Sequence, residues 1–457
     1  MDDKKWAWTV NLLIVIIILI GGYFRFKTYG DFGLSVSNPE TNSYIDSSQA
    51  PLLSWEIFAN NRLFTTNLLY KLANDPKRCP PPPYSAPAIG QEKIREIHNC
   101  FDSITKIQNW AALLGWGGLA LTVSRWLTSK LFKVIAVIVI LLFAFTPQIA
   151  EWDSVLSPES LSLSLIALSL ALLVELCISI ARGKDHIDGG WFLAKLTAWV
   201  VIYTIWIFIR DIHLYTIIPT LLLLGGLFLS KSFMRSLPLR LTAIFLIAVL
   251  ILGYLSAREG QRATNGPLNH AFDAYIWPYP ARVAFISEYN NMPDKGSAEF
   301  AIWFNENATE AYAYFLLSHP GFIISTLWNS MGEFTTDFVQ PYFDASEVPG
   351  RAAWLQVGQM LHPETSAVFL IDLLLLTTFG LQAIRTRQPE WVAWCGLALW
   401  LLAIAIATLL PGFFGDIGGT HRHIFPSVEL LRLFLWIFLI KLMDAWTSLP
   451  AMESDTG

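Results

Sequence analysis

The sequence predicts an all-α polytopic membrane protein with about ten transmembrane helices, and three observations lead there. Its 457 residues are 54% hydrophobic and only 15% charged, where a soluble domain carries about 25% charged residues. Apolar runs of about 20 residues, the length that crosses a hydrocarbon core, recur along most of the chain. Nineteen tryptophans and fourteen tyrosines suit two bilayer interfaces, where amphipathic rings settle. The net charge of −5 argues against a nucleic-acid partner.

The expected spans lie near 7–24, 108–126, 132–148, 158–181, 191–209, 213–230, 238–256, 365–384, 391–410 and 427–443. No small-x-small cleavage site follows the first run, so it reads as a span rather than a signal peptide. Short loops rich in Lys and Arg alternate with poor ones. The rich set holds Arg125, Lys130 and Lys133, then Arg182 and Lys184, then Lys231, Arg235 and Arg240, then Arg385 and Arg387. By the positive-inside rule these loops are cytoplasmic, which puts both termini inside. Arg25 and Lys27 oppose Lys4 and Lys5 around the first span, a local conflict that the later loops outweigh.

Two long extracytoplasmic loops remain, 25–107 and 257–362. The first contains PLLSWEIFANNRLFTTNLLYKLAND, an amphipathic stretch expected to form one or two interfacial helices, and then the rigid extended CPPPPYSAP. In the second, AEFAIWFNENATEAYAYFLLSHPGFIISTLWNSM reads as helix up to the breaker His319-Pro320, and Asn307-Ala308-Thr309 is a glycosylation triplet. No repeat and no glycine-rich nucleotide motif appears, so ATP-driven transport within the chain is not expected.

Polar residues gather at one side of this topology. They are Glu40, Tyr44 and Asp46, then Glu151, Asp153 and Glu159, then Arg210, Asp211 and His213, then Arg258 and Arg262, and last Asp416, His421, Arg422 and His423. Charged groups kept at a membrane boundary usually mark pathways or sites. Plainer readings exist for several. Glu151 reads as a solvated hairpin charge, Arg210 and Asp211 as an adjacent ion pair capping a helix end, and His421 and His423 as solvated loop residues. Glu159 follows Pro158 at a span's start and so also suits the helix dipole. Asp372 and Glu175, inside spans, read as satisfied by contacts between helices, and Cys177 and Cys395 as small packing residues. Together the group offers carboxylates and guanidinium groups on one face, suited to a phosphate-bearing ligand and an acid–base step.

Several strings resemble the C-type (GT-C) membrane glycosyltransferases, the superfamily of protein O-mannosyltransferases and bacterial aminoarabinose transferases. ETNSYIDSSQAPLLSW with NNRLFTTNLLYKL resembles the first-loop acid-and-tyrosine pattern, and VLSPESLSLSL the acidic start of a later span. WIFIRDIHLYT resembles an Arg-Asp motif, and GDIGGTHRHIFP the C-terminal motif with its Arg-His pair. The resemblance covers nearly the whole chain. It departs at two points: Glu40 stands where the family usually has Asp, with Asp46 and Asp31 as other candidates, and the C-terminal Glu is missing near Gly419.

The resemblance implies a GT-C-like fold and transfer of a sugar, with inversion, from a polyprenyl-phosphate donor to an extracytoplasmic glycan, lipid or protein acceptor. It implies a bacterial plasma membrane as the home. Glu40, Glu159 and Asp153 are the expected catalytic carboxylates. Tyr44, Arg62, Arg210, Asp211, Arg262, Arg422 and His423 are expected at the substrate and donor phosphate. A divalent cation, Mg or Mn, would fall to Glu159 and Asp153. The alternatives are a non-catalytic scaffold of the same fold, and a flippase or transporter of lipid-linked glycans.

Cys79 and Cys100 share the first extracytoplasmic loop, on the side where disulfides persist, and are expected to pair. A gel or mass shift on reduction of the oxidised protein checks this, and free thiols at both positions would refute it.

Overall fold

The computed structural model describes residues 3–30, 34–73, 101–183, 187, 189–262, 266–336, 338–346, 348–415 and 420–447. The expected Cys79–Cys100 pair, Asp31, Asp416 and Gly419 lie outside the described residues. Among those described there is no strand, only an isolated bridge between Val36 and Val155. The chain is an all-α polytopic membrane protein.

The order begins with α1 (Asp3–Tyr29), the short α2 (Thr41–Ser48) and α3 (Phe64–Ala73), then α4 (Asp102–Arg125), α5 (Lys130–Phe145) and α6 (Pro147–Ala150). Next come α7 (Pro158–Ala181), α8 (Gly190–Ile207), α9 (Ile217–Phe228), α10 (Lys231–Met234) and α11 (Leu237–Glu259). A connecting region holds α12 (Pro267–Tyr275), α13 (Pro280–Asn290), α14 (Ala298–Ser318), α15 (Pro320–Phe334) and α16 (Arg351–Leu361). The chain closes with α17 (Ala367–Thr386), α18 (Pro389–Gly415) and α19 (Thr420–Thr447).

Eight helices among the described residues are long and apolar enough to span a membrane, or nine if the pair Lys130–Phe145 and Pro147–Ser154, bent by 56°, counts as one. The bend falls at Thr146-Pro147, where proline lacks the N–H that would continue the ladder. The sequence expectation of about ten also counted 108–126. That segment is the body of α4, whose 24 residues rise about 36 Å. Asp102, Lys106, Gln108 and Asn109 in its first turns keep it outside the apolar set.

Burial sorts the bundle into centre and rim. The spans of α19, α18 and α7 are 83%, 67% and 61% buried, against 17% for α1 and 22% for α17, so the first three form the hub. α4 lies against α7 so closely that a Cβ on Gly115 would sit 2.2 Å from the Ser164 carbonyl oxygen. A second apolar core, separate from the bundle, joins α12, α13 and α14 through Phe272, Ile286, Trp303 and Phe315. The helix break at His319-Pro320 falls where expected, between α14 and α15. The amphipathic stretch of the first loop becomes a 3₁₀ turn at Trp55–Ile57 and α3, docked through Phe58 on Phe64 and Phe208.

Two expectations for buried charges need correction. Glu151 is not solvated: it is buried, paired with Arg351 at 2.5 Å and accepting a 3.1 Å hydrogen bond from Gln340. The loop before α16 folds over it. Asp372 is buried, yet neither of its oxygens has a hydrogen-bond partner. Glu175 is satisfied as expected, by Lys195 at 2.7 Å and the Trp126 ring N–H at 3.0 Å.

One interior network was not anticipated. Glu429 and Arg432 pair at 2.5 Å on α19, and Glu429 also meets His362 Nδ1 at 2.5 Å. The other ring nitrogen of His362 reaches the Thr146 hydroxyl at 2.8 Å, and Arg432 donates to the Thr335 carbonyl at 2.8 Å. The cluster ties the α5–α6 break, the end of α15 and the end of α16 to α19. Glu429→Ala strands a buried guanidinium, and removing one partner of such a pair costs about 3–5 kcal/mol. A large fall in the thermal unfolding midpoint in detergent is expected; an unchanged midpoint would show the network to be dispensable.

Candidate active site

The site is assembled at one end of the bundle, where α1 and α5 finish, α7 and α19 begin, and α8 gives way to the 3₁₀ turn Asp211–Thr216. It starts from the segment ahead of α7. Val36 N–H donates to Ser154 O and Leu156 N–H to Val36 O, both at 2.8 Å. Gln108 of α4 donates to the carbonyls of Val155 and Ser157 at 3.0 Å, while Asn38 and Tyr70 donate to Leu156 O at 3.0 Å. A buried stretch with every carbonyl bonded is rigid. Pro158 then opens α7, where missing N–H groups and a preset φ suit a first turn, and Glu159 follows it at the positive end of the helix.

The next support is His213. Its ring stacks on Trp206 at 3.9 Å and bonds the Ser162 hydroxyl at 3.0 Å, and the Trp206 N–H donates to Ser162 O at 2.8 Å. This pins the turn after α8 onto α7 and aims Arg210 at Glu159. Arg210 has an extended backbone, φ −140° and ψ 140°, so its side chain and that of Asp211 point to opposite sides. The plainer reading of Arg210 and Asp211 as an adjacent ion pair is therefore not met. Arg210 meets Glu159 at 3.3 Å, and Asp211 pairs with Arg262 at 2.8 Å. Arg262 also donates to Asn60 O and Ser256 O, each at 3.1 Å, and so fastens the first loop to the end of α11.

Arg422, near the start of α19, closes the constellation. It lies 2.6 Å from Glu40 and 3.3 Å from Glu159, and donates to the Tyr342 hydroxyl at 3.2 Å. Its neighbour His423 accepts at Nδ1 from Arg210 at 3.1 Å, since a guanidinium can only donate. Glu40 takes a 2.5 Å hydrogen bond from Tyr44 and has Arg62 at 3.7 Å. Arg62 also stands over the Tyr44 ring, 4.6 Å from its centre. Glu159 is wholly buried whereas Glu40 is 26% exposed, so the cluster opens on the Glu40 side.

One feature fits an anionic ligand. Three guanidiniums, Arg62, Arg210 and Arg422, face two carboxylates, Glu40 and Glu159, leaving an excess of positive charge. Glu159 Oε2, buried without a hydrogen-bond partner, is an acceptor and suits a ligand hydroxyl rather than an anion. At Glu40, burial favours the neutral form, but Arg422, Arg62 and the Tyr44 hydrogen bond outweigh it and hold the carboxyl down at about 2. Burial, reinforced by the charge of Glu40, pushes the Tyr44 hydroxyl well above its ordinary range, so it remains a donor.

The structure thus brings together Glu40, Tyr44, Arg62, Glu159, Arg210, Arg422 and His423. Asp153 is not among them: its partners are Arg25 at 2.6 Å and Ser160 at 2.6 Å. Asp211 and Arg262 form their own pair to one side. Asp46 is exposed. His421 stacks on Phe338 and lies 3.6 Å from Glu333. No group of three His, Cys, Asp or Glu residues suited to a metal ion occurs among the described residues, and Glu159 and Asp153 each have arginine partners, so the donor set does not fit the expected cation. Tyr342 was not foreseen; it lies in a loop whose sequence, QPYFDAS, carries no periodic signal.

No protein-family model matches the chain, and no curated protein matches it. Among solved structures it is similar to the archaeal oligosaccharyltransferase AglB from Archaeoglobus fulgidus in complex with an inhibitory peptide and a dolichol-phosphate. That match covers 94% of this chain and 50% of the other, at 15% identity and a TM-score of 0.44. It is also similar to the apo form of the Archaeoglobus fulgidus oligosaccharyltransferase, at 13% identity and a TM-score of 0.46, covering 97% and 51%. The chain spans about half the length of these oligosaccharyltransferases.

Because the Glu40 carboxyl titrates lower in the folded protein than its ordinary 4.5, its stabilising contribution is complete above that value and is lost as pH falls toward about 2. The difference in unfolding midpoint between wild type and Glu40→Gln should hold steady from neutral pH down to about 5 and narrow below it. A difference that vanished near neutrality would show that the Arg422 and Arg62 pairing is not formed.

Proposed function

We propose that this protein is a C-type membrane glycosyltransferase that moves a sugar from a polyprenyl-phosphate donor to a hydroxyl-bearing acceptor outside the cytoplasm. The observation that carries the reading is the Glu40–Arg422–Glu159–Arg210 chain of ion pairs, with its cationic excess, at one end of an apolar bundle. A phosphate joined to a long prenyl chain needs both halves of that arrangement. The order of the sequence motifs that supply these residues, and their resemblance to the C-type enzymes, support it further.

Chemistry follows from the charges. As the glycosidic bond to phosphate breaks, negative charge grows on the leaving oxygen, and Arg422 and Arg210 stabilise it. The same groups neutralise Glu40 and Glu159. An arriving phosphate competes for them, and a carboxylate that loses its cation becomes a stronger base. Glu40, the more exposed of the two, then accepts the proton of the acceptor hydroxyl as the new bond forms on the opposite face of the sugar. Glu159, buried and fixed at the start of α7, holds Arg422 and Arg210 in place. Tyr44 orients Glu40 through its hydrogen bond. The lipid tail would lie along the apolar flanks of the bundle.

The transporter reading finds less support, since the ionic constellation sits at one end rather than at mid-span. The scaffold reading rests on Glu40 in place of Asp and on the missing Glu near Gly419, a position outside the described residues. A panel of polyprenyl-phosphate hexoses and pentoses, with release of polyprenyl phosphate as the readout, decides among them. Glu40→Gln and Arg422→Gln are expected to lower transfer by about 10²-fold or more. Near wild-type turnover in both would remove the proposed roles, and donor binding without release by the wild type would favour the scaffold.

A further inference from the structure

At the end of the bundle opposite the ionic site, cations gather where α4 and α7 finish and α8 begins. Glu175 of α7 pairs with Lys195 at 2.7 Å, lies 3.8 Å from Arg125, and accepts from the Trp126 indole N–H at 3.0 Å. Arg182 stands over the Trp126 ring, 4.8 Å from its centre. Three cations therefore share one depth, because each touches Glu175 or Trp126, and a single carboxylate serves them. That carboxylate is 11% exposed, against 65% for Arg125 and 33% for Lys195, so the positive charge is what faces outward. Lys441 alongside is held by Glu390 and Asp444, a carboxylate surplus that Lys130 and Lys133 at the start of α5 offset.

An apolar strip leads up to these cations. α7 packs against both α4 and α8, and on it Leu165, Leu168 and Leu172 are half-buried and share the side of the helix that carries Glu175. In line with Arg125 on α4 stand Leu114 and Leu121, both exposed. From Leu165 to Glu175 the helix rises about 15 Å, half of a hydrocarbon core about 30 Å thick. Beyond Leu165 the same side of α7 is covered, since Pro158 and Leu161 close a small pocket with Leu69 and Tyr70 of α3. The open strip is thus one leaflet deep, with α3 at its inner end and the cations at its outer end.

We infer that the strip and its cations bind one anionic glycerophospholipid, with the phosphate on Arg125, Arg182 and Lys195 and an acyl chain along Leu172, Leu168 and Leu165. Charge complementarity selects the head group, as in other basic pockets between spans at a membrane surface. The depth of the strip selects the tail, because a chain of one leaflet's length fits it and a long prenyl chain runs into α3. The site does not rest on the proposed glycosyl transfer, and it lies at the far end of α7 from Glu159.

The full chain, purified in non-ionic detergent and stripped of lipid, is titrated with dioleoyl phosphatidylglycerol or dioleoyl phosphatidylcholine, and bound lipid is followed by native mass spectrometry. Saturable binding of phosphatidylglycerol is expected, at least about ten-fold tighter than that of phosphatidylcholine. Arg125→Gln combined with Arg182→Gln should weaken it about ten-fold or more. Arg235→Gln combined with Arg240→Gln removes two exposed cations from the same end of the bundle and should leave the affinity within about two-fold. The comparison of the two lipids uses wild-type protein and so holds even where a variant fails to fold. Equal affinity for phosphatidylcholine, equal loss in both double variants, or displacement of phosphatidylglycerol by soluble glycerol phosphate or by polyprenyl phosphate would each overturn the inference.

Discussion

A single guanidinium, that of Arg422, is held between two carboxylates from distant parts of the chain, Glu40 ahead of α2 and Glu159 at the start of α7. None of the three charges is affordable alone at the end of an apolar bundle, since desolvating an unpaired ion costs several kcal/mol. The first loop, the hub helix α7 and the last helix α19 must therefore come together as a set. The other contacts described at this end serve that meeting. Gln108, Asn38 and Tyr70 fix the segment before Glu159, His213 turns Arg210 toward it, and Arg262 ties the first loop in place.

The same logic separates this cluster from the interior network of Glu429, Arg432, His362 and Thr146. There the ionic partners are wholly buried and no side is open to solvent, although Arg432 Nε has no hydrogen-bond partner. At Arg422 one carboxylate is part-exposed and one oxygen of the other has no partner. A closed set of ions braces a fold, whereas an open one with spare positive charge is poised to exchange a partner for a ligand. Rigid support beneath and unfinished pairing above is the arrangement a preorganised site requires.

Much of this was legible from residue order. The apolar runs located the spans, and Glu40, Glu159, Arg210 and Arg422, which residue order put on one side, meet at one end of the bundle. Pairing was not legible. Adjacent Arg210 and Asp211 invited each other as partners, and extended backbone sent them apart. Glu151 looked solvated because the loop that covers it, around Gln340 and Arg351, lies some two hundred positions later. Asp153 shares its sequence neighbourhood with Glu159, yet a 3₁₀ turn directs it to Arg25. Glu429 and Arg432 were a missed signal, two opposite charges one turn apart inside a span.

The contact of Gly115 with the Ser164 backbone bears on how the molecule can move. Helices that touch carbonyl to Cα cannot slide past one another without a clash, so α4 and α7 behave as one strut. The floor of the site, including Glu159 and the segment pinned by Gln108, stands on that strut. Under the proposed function, enclosing the substrate falls to the parts that lie over that floor: the stretch from Glu40 to Arg62 and the loop that carries Tyr342. For that proposed function, loop movement over a stationary base, rather than rocking of the bundle, is the motion this packing favours.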